Sequence, residues 1–165
     1  LRFDILDVAR SEFGSNRKNR GNRFLTVIQY CLDMSQSLSS MQRATMKDGT
    51  LIMVVGRESN VRKTAFYNGN IVCDLATKTK LFNLNHRAER VFKNKFGGNI
   101  IEDILVFEPL ASVADTDTTA KEVAIEHLKK AALSVSAEAK TDLYNAIDSI
   151  DKVESSPIFQ YKYLQ

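Results

Sequence analysis

Lys47–Arg62, KDGTLIMVVGRESNVR, decides how the chain is read. Lys47-Asp48-Gly49 is a turn signal. Thr50–Val55 is a short, nearly continuous apolar run ending in two β-branched residues, so its length and flanks favour a strand over a piece of helix. An unbroken apolar run predicts a strand buried on both faces, as in a parallel sheet. Gly56 then lets the chain leave the sheet, and Arg57, Glu58, Ser59, Asn60, Arg62 and Lys63 follow at once. Polar residues at the carboxyl end of a buried parallel strand occupy the ligand-facing position of an open α/β sheet.

Upstream, Phe24–Met46 has the strongest helical period in the chain, with Phe24, Val27, Ile28, Cys31, Leu32, Leu38 and Met41 on one face. Leu1–Phe13 has roughly helical spacing. Gly14–Asn22 has the composition of a loop, and with its flanks it gathers Arg10, Arg17, Lys18, Arg20 and Arg23 against a single Glu12. Guanidinium groups, lysine and exposed backbone N–H groups all donate to phosphate oxygens, so this loop is a candidate backbone contact for a polyanion.

Downstream, Phe66-Tyr67-Asn68-Gly69 reads as a turn and Asn70–Thr79 as a short helix. A strand opens at Leu81–Leu84 and runs toward Phe92. Phe96–Asn99 is a turn and Ile100–Phe107 a second clear strand, ended by Pro109. Two strands joined through a glycine turn predict an antiparallel pair closing one side of the sheet. From Ala111 the character changes to a polar linker and a helical hairpin. Thr119 and Glu122 fit a capping box for its first helix, and Ser136 can cap the second. Two regions are therefore expected, 1–110 as the α/β part and 111–165 as linker, hairpin and aromatic tail.

The net charge of +3 conceals an asymmetry: residues 1–110 carry +6 and residues 111–165 carry −3. The basic excess permits a polyanionic partner. No apolar run approaches the ~20 residues that span a bilayer, so no membrane partner is expected and a cytoplasmic location is. The chain opens LRFDILDVAR, with neither a Met nor a charged-then-apolar leader, as an internal fragment does. Cys31 and Cys73 sit apart in apolar segments and read as free buried thiols.

No catalytic constellation is present. There is no G-x-G-x-x-G and no Walker-type loop, and Pro109 and Pro157 are isolated, so no Pro-Pro loop exists. His86 and His127 lack metal spacing and read as surface or helix-face residues. Glu102 and Asp103 are adjacent on a strand, point to opposite faces, and cannot act as an acid pair.

The order of helix, KDG turn, LIMVVG strand, polar RESNVR, short helix and a strand pair ending EDILVF resembles the second half of class I S-adenosylmethionine-dependent methyltransferases. It is most similar to site-specific DNA methyltransferases acting on adenine N6 or cytosine N4. The residues carrying the resemblance are Gly49, Val54–Gly56, Arg57, Ser59, Val61, Arg87, Arg90, Ile101, Glu102 and Ile104–Phe107, within roughly Asn22–Glu108. It implies a partial Rossmann-like α/β sheet followed by the helical hairpin, with S-adenosylmethionine as cofactor of the complete enzyme and double-stranded DNA as partner. The glycine-rich cofactor loop and the Pro-Pro-aromatic catalytic loop of that family are absent, so no catalytic residue carries over and the 165 residues alone are expected to be inactive. Arg57, Glu58, Ser59, Asn60, Arg62 and Lys63 are then expected beside an extruded base, and Arg17, Lys18, Arg20 and Arg23 on the DNA backbone. Half a sheet leaves an open edge, which predicts self-association. A non-catalytic basic nucleic-acid-binding domain and a helical assembly module are the alternative readings.

Overall fold

The structure, a computed structural model, describes residues 22–111 and 115–157. The helix expected at Leu1–Phe13, the basic residues Arg17, Lys18 and Arg20, and the end of the aromatic tail lie outside them.

Helix α1 (Leu25–Ala44) forms where its period predicts and buries Val27, Ile28, Cys31, Leu32 and Leu38 on one side. Each fully buried Leu or Ile contributes roughly 1.5–3 kcal/mol. Burial pushes the Cys31 thiol up to about 12, which leaves it protonated and inert. Strand β1 (Leu51–Gly56) follows, then two short strands, β2 (Glu58–Val61) and β3 (Thr64–Tyr67). Helix α2 (Asn68–Lys78) leads to the long strands β4 (Phe82–Lys93) and β5 (Asn99–Pro109). Helices α3 (Thr116–Ala131) and α4 (Ala137–Asp148) end in a 3-10 turn at Ile150–Lys152.

The fold is mixed α/β. The main sheet has three strands in the order β1-β5-β4, antiparallel at both joins. The predicted β4–β5 pair is present, but β5 lies between β4 and β1. Strands β1 and β4 therefore run the same way without touching, joined through α2.

This corrects the reading of β1. It is an edge strand with an antiparallel neighbour, and its burial alternates along Leu51–Gly56. Leu51, Met53 and Val55 pack against the core, whereas Ile52 and Val54 are 62% and 53% exposed. A continuous apolar run has no period of its own, so it cannot distinguish a strand covered on both faces from one covered on a single face.

The polar segment after Gly56 is a β-hairpin, not a loop. Glu58 pairs with Tyr67 and Val61 with Thr64, leaving Arg62 and Lys63 as the two turn residues. Both have left-handed backbones (φ 49° and 62°), the geometry a two-residue hairpin turn requires. That turn normally announces itself with Asn-Gly or Asp-Gly, and Arg-Lys hides it.

The turn expected at Phe66–Gly69 is instead the end of β3 and the first turn of α2. Helix α3 is capped by Asp115, not Thr119. Its Oδ1 accepts from the N–H groups of Asp117 and Thr118, both at 3.2 Å, and its Oδ2 from the Thr118 hydroxyl at 2.7 Å. Those bonds hold its carboxyl below the usual range. Ser136 stands at the N-cap of α4 without a side-chain bond.

One core joins these elements. α2 lies on the sheet, α1 packs along α3, and α3 buries Ala120, Val123, Ala124 and Leu128. The first helix of the helical hairpin thus packs on α1, α2 and β3. Within this core His127 of α3 is nearly buried, and its Nε2–H donates 2.8 Å to the Asp74 carboxylate of α2. Burial lowers the imidazole pKa and outweighs Asp74, whose side chain is 32% exposed and keeps part of its hydration; Lys130 also lowers it and Glu126 opposes.

A folded-state pKa below the unfolded value of about 6.5 means that the unfolded chain takes up the proton first. Neutral His127 therefore supports the fold fully above about pH 6.5, and that support is lost as the pH falls through the folded value. Urea midpoints should drop on acidification in wild type and drop less in His127→Gln. A midpoint that rises on acidification would mean that the Asp74 pair dominates instead.

Candidate functional site

The polar residues gather where β1 ends. Gly56 hands the chain to the β2–β3 hairpin, and α2 returns beside it: the Asn68 N–H donates to the Arg57 carbonyl at 2.9 Å and the Asn68 side-chain amide to the Gly56 carbonyl at 3.0 Å. The Ser59 hydroxyl donates 3.0 Å to Asn68 Oδ1. Asn68 thereby ties both ends of the hairpin to the sheet.

Beneath it lies Asp103, 1% exposed on the core-facing side of β5. A buried carboxylate persists only when paired. Arg87 of β4 reaches it through Nη2 (3.0 Å to Oδ2) and Nε (3.4 Å to Oδ1), and donates from Nη1 to Asn70 Oδ1 at 2.7 Å. Arg57 Nη2 approaches from the other side, 3.3 Å from Oδ1, while also pairing with Glu89. Glu89 and Asp103 face each other across β4 and β5, and like charges so placed repel. Arg57 sits between them and cancels that repulsion. Its guanidinium is held charged chiefly by Glu89, with Asp103 adding to it.

Grooves flank the hairpin. One, of about 340 Å³, lies between the start of α1 and the hairpin and brings Arg23 together with Ser59, Asn60 and Asn68, backed by Tyr30 and Phe66. Burial raises the pKa of the Tyr30 phenol, which stays neutral. The other, of about 400 Å³, is lined by Gly56–Glu58 and Asn99–Ile101.

The expected site residues therefore divide. Ser59 and Asn60 meet Arg23 in the first groove, and Arg57 and Glu58 border the second. Arg62 is turned away, pairing with Asp142 and lying 3.8 Å from Glu138. Lys63 stands exposed at the turn. Arg17, Lys18 and Arg20 are outside the described residues. Sequence reasoning missed Asn68, Gly69 and the clamp around Asp103. The signal for Asp103 was available: it shares the core-facing side of β5 with Leu105 and Phe107, a position where an acid requires a cation.

The arrangement can donate hydrogen bonds and positive charge to an anionic ligand. It holds no nucleophile activated by a base, and no cluster of three metal-ligating side chains occurs among the described residues. No helix among them is long and apolar enough to cross a membrane. No protein-family model, curated protein or solved structure matches the chain.

Gly69 is the tightest point. A Cβ there would lie 2.2 Å from Asp103 Oδ2 and 3.0 Å from Arg87 Nη2. Helix propensity alone favours Gly→Ala, by less than the roughly 1 kcal/mol of a helix interior because Gly69 lies in the first turn. The clash should reverse that sign, and Gly69→Ala should lose about 1–3 kcal/mol in urea denaturation. An unchanged or raised midpoint would show that the clamp yields.

Proposed function

We propose that this chain forms the sheet-closing, DNA-facing part of an S-adenosylmethionine-dependent DNA methyltransferase acting on a base amino group. One observation carries the reading. Strands β1 and β4 run in the same direction with β5 between them, which among the described residues leaves the outer edge of β1 unpaired and puts the polar groove at its carboxyl end. By the resemblance, β1 follows the catalytic strand. The open edge is where that strand would pair, and the groove would then lie beside its loop.

The partial Rossmann-like sheet belongs to the same proposal, since only the three antiparallel-joined strands are at hand. The apolar face made by exposed Ile52 and Val54 with half-buried Ile104 and Val106 fits a sheet that continues into further covered structure. The same edge and face suit pairing with a second copy when that structure is missing. The helical assembly reading is weakened by α3, whose apolar side is occupied by α1 and α2.

In this account Arg23, Ser59, Asn60 and Asn68 hold the sugar-phosphate of a nucleotide displaced from the duplex, with Arg57 and Glu58 on the opposite side of the hairpin. Unstacking that nucleotide costs a few kcal/mol. Polar groups fixed beforehand by Asn68 offset part of the cost without being ordered at the moment of binding. No residue of this chain is assigned to S-adenosylmethionine, because the loops that hold it in the family are absent from the sequence. Cytoplasmic DNA is the substrate location that this reading entails.

The test is a titration of duplex DNA against salt, with calorimetry of the cofactor alongside. Binding should weaken steeply as salt rises, and the isolated chain should give no heat with S-adenosylmethionine. Arg23→Ala should weaken every DNA sequence alike and make the log–log salt slope shallower by about 0.9. A flat salt response would exclude the DNA reading, and tight cofactor binding would contradict the division of labour.

A further inference from the structure

Strand β1 stops opposite Glu102, but β4 and β5 do not. Beyond that point they continue as a two-stranded ribbon in which Val91 pairs with Ile101, Phe92 with Ile100 and Lys93 with Asn99. Every residue from Val91 to Ile100 is exposed. An exposed ribbon tip has no packing to hold its shape, yet this one is braced internally. Asn94 Oδ1 accepts from the N–H groups of Phe96 (2.9 Å) and Gly98 (3.0 Å). The Asn94 N–H donates to the Gly98 carbonyl at 2.8 Å, and the Gly97 N–H to the Asn94 carbonyl at 3.0 Å. Gly97 takes φ 80°, the left-handed backbone glycine favours at a turn, and a Cβ there would face open space.

This stiff apex presents Phe96 with 84% of its surface to solvent. The Lys95 ammonium lies 4.9 Å from the Phe96 ring centroid, and the Arg90 guanidinium 5.4 Å from that of Phe92. Between Val91 and Ile101 the sequence VFKNKFGGNII contains two lysines and no acid. The carboxylates beside the base of the ribbon are Glu89, paired with Arg57, Glu102, paired with Arg90, and the exposed Glu58, which shares a groove with Asn99–Ile101. Two lysines with no acid between them complement the phosphates of a polyanion.

We infer that the β4–β5 ribbon enters a groove of duplex DNA, with Lys93 and Lys95 on the flanking phosphates and Phe96 against the bases. The major groove, about 12 Å wide, admits a two-stranded ribbon. An aromatic side chain carried into that groove can rest against base edges, as Phe does against a thymine methyl. The inference rests on the DNA reading and adds to it a second contact surface, separate from the groove that holds Arg23.

Fluorescence anisotropy of a labelled random-sequence duplex, titrated with the full 165-residue chain between about 50 and 200 mM salt, tests it. Lys93→Gln with Lys95→Gln should make the log–log salt slope shallower by about 1.8. Phe96→Ala should lower affinity roughly tenfold and leave the slope unchanged. Thermal melts of both variants should match wild type, because these side chains pack on nothing in the core. Wild-type binding that neither variant alters would overturn the ribbon contact and leave the DNA reading standing. No binding by wild type would overturn both. Loss of self-association in Phe96→Ala, seen by sedimentation without a change in DNA affinity, would make the tip a protein contact and overturn the inference.

Discussion

The ion pairs around Asp103 set the layout of the rest. A carboxylate on the covered face of a three-stranded sheet carries a desolvation cost that only close, well-directed cations offset. Here Arg87 comes from the neighbouring strand and Arg57 from the first residue after β1. Satisfying one buried charge therefore fixes three things together: the register of β4 on β5, the direction in which the chain leaves β1, and how closely α2 can approach. Gly69 is the residue that permits this approach. With the start of α2 held there, Asn68 binds both ends of the β2–β3 hairpin, and Ser59 and Asn60 are brought opposite Arg23.

Much of the fold was legible, and the misreadings share a cause. Helix α1 was plain because its apolar residues recur at helical spacing over five turns. Strand β5 and its antiparallel partner were plain because a glycine turn separates two long segments. Reading fails where the deciding fact is a neighbour. The run LIMVVG is equally apolar whether or not its second face is covered, so the exposure of Ile52 and Val54 has no local signature. The β2–β3 hairpin escaped notice because its left-handed turn uses Arg62 and Lys63, residues that adopt that conformation only when the paired strands impose it. Asp115 displaced Thr119 as the cap because α3 starts earlier than its apolar period indicates.

The site was legible in its residue types and not in its grouping. Arg57 to Lys63 was singled out as one polar segment, and pairing in a hairpin splits it. Alternate residues go to different sides, and Arg62 is drawn to Asp142 of α4, a carboxylate 80 residues away in sequence. Arg23 lies 36 positions before Ser59, and only the packing of α1 beside the hairpin brings them to one groove. Among the described residues, what remains outward-facing is an unpaired strand edge, a partly exposed apolar sheet face, a groove rich in donors and a basic ribbon. Each suits the proposed role of completing a larger sheet while touching DNA, and none depends on chemistry that these residues lack.

The claim on which the account rests is that Asp103 holds the hairpin and α2 in place. Native-state hydrogen exchange on wild type and Asp103→Asn measures it directly. The account predicts faster exchange in the variant at the amides of Glu58–Val61, Thr64–Tyr67 and the first turn of α2, with the interior amides of α3 unchanged. Equal acceleration across all elements, or none at the hairpin, would contradict it.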